Sequence, residues 1–357
     1  MDSIKTFNGE FHAPGVGPSG NLQRKWFYTM AGSRPERGGT TSLNAPIVPV
    51  SLDLLDYDGS VRVVAGHRLH HSVAPFILAV MDSPVFQKSD YSSSDVPTQF
   101  TDAVQRAEFY NVMQPDWHTV LKPSVKAERR LALPRGSYFF ALNDDGSCCA
   151  FVLVDINVFS NLLFPSSASD AKSPVGAAEH SGDITTSDIS TFLFPNTYLY
   201  SNNPNQCCVL GFHTYDFEPG DESNNFREKR YVLNYSSWIS PGLFGPGFGD
   251  ITALSHEITE SVNDPFVGSD GVHGITPWWL SQNGNCQDDL EVGDVVEGLP
   301  DSTIAIRTKD RTYHPQNEAL LQWFEFQSPS TAIGGAYSYP NQNVLTLLST
   351  PQGVKCQ

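Results

Sequence analysis

One short stretch carries apolar residues at clear helical spacing. In GDITALSHEITESVNDP, which begins at Gly249, Ile251, Leu254, Ile258 and Val262 recur at steps of 3, 4 and 4. That period draws one stripe along a single side of an α-helix. Asp250 is the expected N-cap, and Asn263-Asp264-Pro265 the expected stop, because a residue before proline avoids helical backbone. A second stripe, Phe100, Ala103, Val104, Ala107 and Tyr110, predicts an amphipathic helix in PTQFTDAVQRAEFYNVM, with Thr101 or Asp102 near its start. The remaining apolar runs are short, β-branched and aromatic, and read as strands: APIVPVSLDLL and SVRVVAG across an Asp58-Gly59 turn, YFFAL (138–142), CCAFVLVDINVF (148–159), TFLFPNTYLY and CCVLGFHTYDF. Residues 165–190 read as a surface loop, and residues 1–45, polar and rich in Gly, Pro and Ser, as a flexible arm. The pattern therefore predicts one α+β domain over residues 46–357, a mixed sheet with a few helices and long loops.

Composition narrows the partners. The 357 residues carry 22 Lys+Arg against 39 Asp+Glu, a net charge of −17, so a phosphate backbone would be repelled and nucleic acid is not an expected partner. No run approaches the roughly 20 apolar residues of a membrane helix, and the opening MDSIKTFNGEFHAPGVGPSG lacks the apolar centre of a secretory signal. Read as written, that start favours the cytosol. Six cysteines, Cys148, Cys149, Cys207, Cys208, Cys286 and Cys356, point the other way, toward disulfides. Adjacent cysteines seldom bond each other, so each double pair is expected to find distant partners, with Cys286 to Cys356 as one bridge.

The polar side of the Gly249 helix is where chemistry concentrates. At about 100° per residue, His256 and Glu260 lie one turn apart on the side opposite the apolar stripe. This H-E-x-x-E arrangement gives two ligands at i and i+4 for one metal ion, while Glu257 can reach a water on that ion without ligating it. A catalytic zinc site takes three protein ligands and keeps an open position. GNCQDDLEVGDVVEG, downstream, offers Glu291 as the third ligand, with Asp294 as alternative or as orienter of His256. The plainer readings are a solvated polar helix face and a hydrated acidic loop or weak calcium site.

These residues also carry a resemblance. The helix is similar to the active-site helix of zincin metallopeptidases, where H-E-x-x-H supplies two His ligands and a Glu base. SHEITESVNDPFV, a Trp-bearing loop and LEVGD together resemble a bacterial and fungal family with H-E-x-x-E, D-P and E-x-G-D. Plant phosphate-induced (exordium-like) proteins resemble it more distantly. The likeness extends to TQFTDAVQRAEFYN, TFLFPNTYLY, CCVLGFHTYDF and TYHPQNEALLQWF. It implies a zincin-like fold, His256, Glu260 and Glu291 as ligands, Glu257 as base, and an extracellular setting. Glu260 in place of a second His changes the chemistry. One imidazole and two carboxylates cancel the ion's double charge, so a coordinated water is acidified less. The harder oxygen donors also widen the choice from zinc toward manganese or calcium.

The expected activity is metal-dependent hydrolysis of a peptide or protein substrate, with Trp278 and Trp279 lining the cleft. The alternative is a non-catalytic secreted module with a structural metal. His314 is a candidate oxyanion stabiliser or a helix-entry residue before Leu320, Leu321, Trp323 and Phe324, while His67, His70 and His71 read as surface or packing residues.

Overall fold

The computed structural model describes residues 2–15, 22–91, 96–220, 222, 225–268, 278–287, 289–348 and 351–352. Strand outweighs helix two to one, 36% against 18%, in a mixed α+β fold with a curled half-barrel sheet.

The strands of the N-terminal hairpin and the two larger sheets are β1 (Thr6–Gly15), β2 (Leu22–Ala31), β3 (Thr40–Leu54), β4 (His70–His71), β5 (His118–Val125), β6 (Arg129–Leu133), β7 (Tyr138–Leu142), β8 (Cys148–Asp155), β9 (Ile189–Pro195), β10 (Thr197–Tyr200), β11 (Cys207–Val209), β12 (Gly211–Glu218) and β13 (Lys229–Trp238). The helices that matter here are α1 (Phe100–Glu108), α2 (Ile156–Leu163), α3 (Pro174–Ser181), α4 (Thr252–Asn263) and the short α5 (Leu321–Phe324).

The main sheet runs β12-β13-β9-β3-β4, and β5 and β6 add to β3. Neighbours β13, β9 and β3 are parallel, and β12 closes one edge antiparallel to β13. A second sheet runs β11-β10-β8-β7. Two chain segments pass directly from one sheet to the other. Asn196, between β9 and β10, accepts from Val152 N and donates its own N–H to Trp238 O. Leu210, between β11 and β12, accepts from Ser237 N. Residues 208–213 of this crossing line the cleft described below.

Helix α4 lies on the main sheet. Its stripe of Ile251, Leu254, Ile258 and Val262 packs with Ile47, Leu193 and Val232 in one core cluster, as the periodicity predicts. Among the described residues no helix is long and apolar enough to cross a membrane.

Several expectations need correction. The supposed flexible arm forms the antiparallel hairpin β1–β2 and the first part of β3. Its polar composition hides a period-2 pattern: Phe7, Phe11, Tyr28 and Met30 are buried against Phe109 and Trp117. The strand expected over 148–159 stops at Asp155, whose side chain accepts from Asn157 N and Val158 N and caps α2. A local cap therefore overrides the β-branched run. Asp155→Ala should cost about 1 kcal/mol, read as a lower midpoint in chemical denaturation. The loop expected over 165–190 holds α3, capped by Ser173 and ended by left-handed Gly182. The double cysteines bond within each pair, Cys148–Cys149 and Cys207–Cys208, rather than to distant partners. The expected Cys286–Cys356 bridge falls outside the described residues.

Candidate metal centre

The whole of α4 is buried, its polar side included. A solvated face is thereby replaced by a cleft of about 320 Å³, into which His256, Glu257 and Glu260 point. Glu291 and Asp294 from the E-x-x-D segment line the same cleft, so the sequence spacing does bring the helix and the acidic loop together.

The donor atoms converge. His256 Nε2 lies 3.1 Å from Glu260 Oε1 and 3.2 Å from Asp294 Oδ1. Asp294 is thus the acid facing His256. Glu291 faces a different imidazole: its Oε2 lies 3.5 Å from His213 Nδ1, which is also 3.2 Å from Glu260 Oε2. Two donors about 2.1 Å from one tetrahedral ion lie roughly 3.4 Å apart. These spacings match donors gathered around a cation.

His213 was not singled out in the sequence. It sits on the edge strand β12, where only the alternation of GFHTYDF hints that it points inward. Its Nε2 donates to the carbonyl of Asp264 at 3.2 Å. In a neutral ring this leaves the lone pair on Nδ1, directed at the carboxylates, as in metal-ligating histidines. The Asn263-Asp264-Pro265 stop therefore does more than end a helix. Asp264 also accepts from Gly268 N and Leu290 N, tying the helix end to the segment that carries Glu291. Burial pushes its carboxyl up to about 8.

Two glycines make the cleft possible by close approach. A Cβ on Gly211 would meet Glu257 Cγ at 2.4 Å, and one on Gly293 would meet the His256 ring at 2.6 Å. Gly293 N also donates to Glu260 Oε1 at 2.9 Å, and Gln316 Nε2 holds the Gly293 carbonyl.

The electrostatics show what this cluster demands. Glu257, Glu260, Glu291 and Asp294 share the cleft with Glu297, and no Lys or Arg lines it among the described residues. Burial pushes the carboxyls of Glu257 and Glu291 well up. Burial acts on Glu260 in the same sense, but the His256 and His213 imidazoles outweigh it and hold that carboxyl far down. Burial would lower both imidazoles. The acids around them win, Glu260 and Glu257 for His256 and Glu291 and Glu260 for His213, so both are pushed well up. So many buried acids need positive charge, supplied by protons or by metal.

Other expected residues lie elsewhere. Asp250 is not the N-cap; Ile251 holds that position. Asp250 accepts from His314 N, and its Oδ2 lies 2.8 Å from His314 Nδ1. That pairing latches His314 to the helix start, outside the cleft lining. Trp279 is fully buried, donates to Phe324 O and stacks on Phe326, so it belongs to the core. The side chain of Trp278 lies outside the described residues, as does Asp288. His70 pairs with Asp53, and His71 accepts from Cys149 N, in keeping with a packing role.

Comparison with family models, with curated proteins and with solved structures gives no match for this chain.

Proposed function

We propose that the protein is a metal-dependent hydrolase acting on peptide bonds, built on a zincin-like scaffold. The observation that carries the reading is the placement of Glu257. It is buried in the cleft wall, yet its Oε1 stands 3.9 Å from His256 Nε2, farther than the other acids that face that ring. Such a group is offset from an ion held beside His256 and is positioned to handle a proton there.

The residues fit a divalent metal. His256, Glu260 and Asp294 place donor atoms within 4.8 Å of one another, and nitrogen with oxygen donors suits zinc or manganese. A bound ion would supply Lewis-acid activation of water and of the scissile carbonyl. The chain's own residues do the rest. Glu257 takes the proton from the attacking water and returns it to the leaving amine, a task that suits a carboxyl whose affinity for protons burial has raised. Gly293, through its N–H on Glu260, keeps the helix carboxylate in place.

Substrate preference follows from the lining of the cleft, which includes the apolar Val209, Leu210 and Phe248 and the acid Glu297. Glu297→Gln should therefore lower kcat/KM for peptides with Lys or Arg near the cut bond by roughly ten-fold, and leave apolar peptides unchanged. Equal losses on both would remove Glu297 from recognition. The reading itself is tested by incubating the purified protein with unfolded protein substrates, with and without a chelator. Chelator-sensitive cleavage supports it; a bound ion without cleavage makes the site a binding module.

A further inference from the structure

We propose that the cleft holds two divalent cations bridged by Glu260. This rests on the metal-dependent reading above and adds a second ion to it. The two oxygens of Glu260 face different imidazoles, Oε1 toward His256 at 3.1 Å and Oε2 toward His213 at 3.2 Å. Each half then has its own further acid: Asp294 beside His256 at 3.2 Å, and Glu291 beside His213 at 3.5 Å. His256, Glu260 and Asp294 bring donor atoms within 4.8 Å of one another, and so do His213, Glu257 and Glu260, so two donor groups share a single carboxylate, the arrangement that holds metal pairs roughly 3.5–4 Å apart.

One observation beyond the acids points to the second ion. It is His213, which is buried, with Nε2 committed to Asp264 O. Its Nδ1 is aimed into the cleft at Glu260 Oε2 and Glu291 Oε2, 3.2 and 3.5 Å away. Five carboxylates line the cleft with no Lys or Arg among the described residues. Glu257 stands with His213 and Glu260 in one donor group and near His256 on its other side, within reach of both positions. The donor sets are alike in composition, so the same metal, zinc or manganese, is expected at both.

The full chain, loaded with zinc and freed of excess, is expected to retain two ions by elemental analysis, and His213→Ala one. Loaded with Mn(II), the wild type should give the electron paramagnetic resonance spectrum of a spin-coupled pair, a readout that needs no variant to fold. One ion per chain overturns this proposal and leaves the hydrolase reading standing. Two ions with uncoupled six-line spectra overturn the shared bridge. Two coupled ions in a protein that cleaves no peptide uphold the pair and remove the hydrolase. No bound ion removes both.

Discussion

Glu257→Gln is expected to lower peptide hydrolysis by about 10²- to 10⁴-fold, the range that a positioned general base contributes, and to leave the metal content at the wild-type level. The two halves of this result come from different features of one turn of helix. Activity falls because an amide cannot accept the proton of the attacking water. Metal stays because His256, Glu260, Asp294, His213 and Glu291 still offer their donors at 3.1–3.5 Å spacings. Glutamine also preserves the shape that Gly211 accommodates, where even one added carbon would stand 2.4 Å from Glu257 Cγ. Peptide turnover and elemental analysis on the same sample decide the matter. Loss of metal together with activity would make Glu257 a ligand, and unchanged turnover would remove it from the chemistry.

Gly293→Ala is expected to weaken metal binding by roughly 10- to 100-fold, the scale set by groups that orient ligands. The new carbon would lie 2.6–2.8 Å from three atoms of the His256 ring, too close for any real contact. Neither side can yield easily. The ring is carried by a fully buried helix, and the backbone of residue 293 is fixed by its bonds to Glu260 and Gln316. A chelator competition titration reads the affinity, and circular dichroism confirms that the fold is kept. Unchanged affinity would mean that His256 is not a ligand.

Much of this site is legible in the chain, because its centre is local. A period of 3.6 residues separates the buried stripe of α4 from His256 and Glu260, and Asn263-Asp264-Pro265 marks its end. The E-x-x-D spacing likewise puts Glu291 and Asp294 on one side of a short segment. What stays hidden is what tertiary structure contributes. His213 arrives from a distant edge strand, and nothing about a single His in an alternating run distinguishes a ligand from a packed residue. Gly211 and Gly293 acquire meaning only once another side chain occupies the space that a Cβ would need. Trp279 shows the converse: an aromatic beside the motif in sequence turns into a different core in space.

Outside the site, the failures have the same physical root. Composition suggested a flexible arm where period-2 burial of Phe7, Phe11, Tyr28 and Met30 builds a hairpin. The caps Asp155 and Ser173 were present in the sequence, but β-branched and small-polar texture outweighed them. Asn234, the acceptor of an Asn-Tyr-Ser sequon, is fully buried in β13, so the sequon offers no surface site.

On the proposed reading, the acids and imidazoles around Glu260 hold metal, since that carboxylate faces both rings. Elemental analysis of the purified wild type beside Glu260→Ala is the decisive measurement. Tightly held zinc or manganese is expected in the wild type and none in the variant, with both proteins folded. A wild type that takes up no divalent ion under any loading condition, or a variant that retains the full complement, would contradict it.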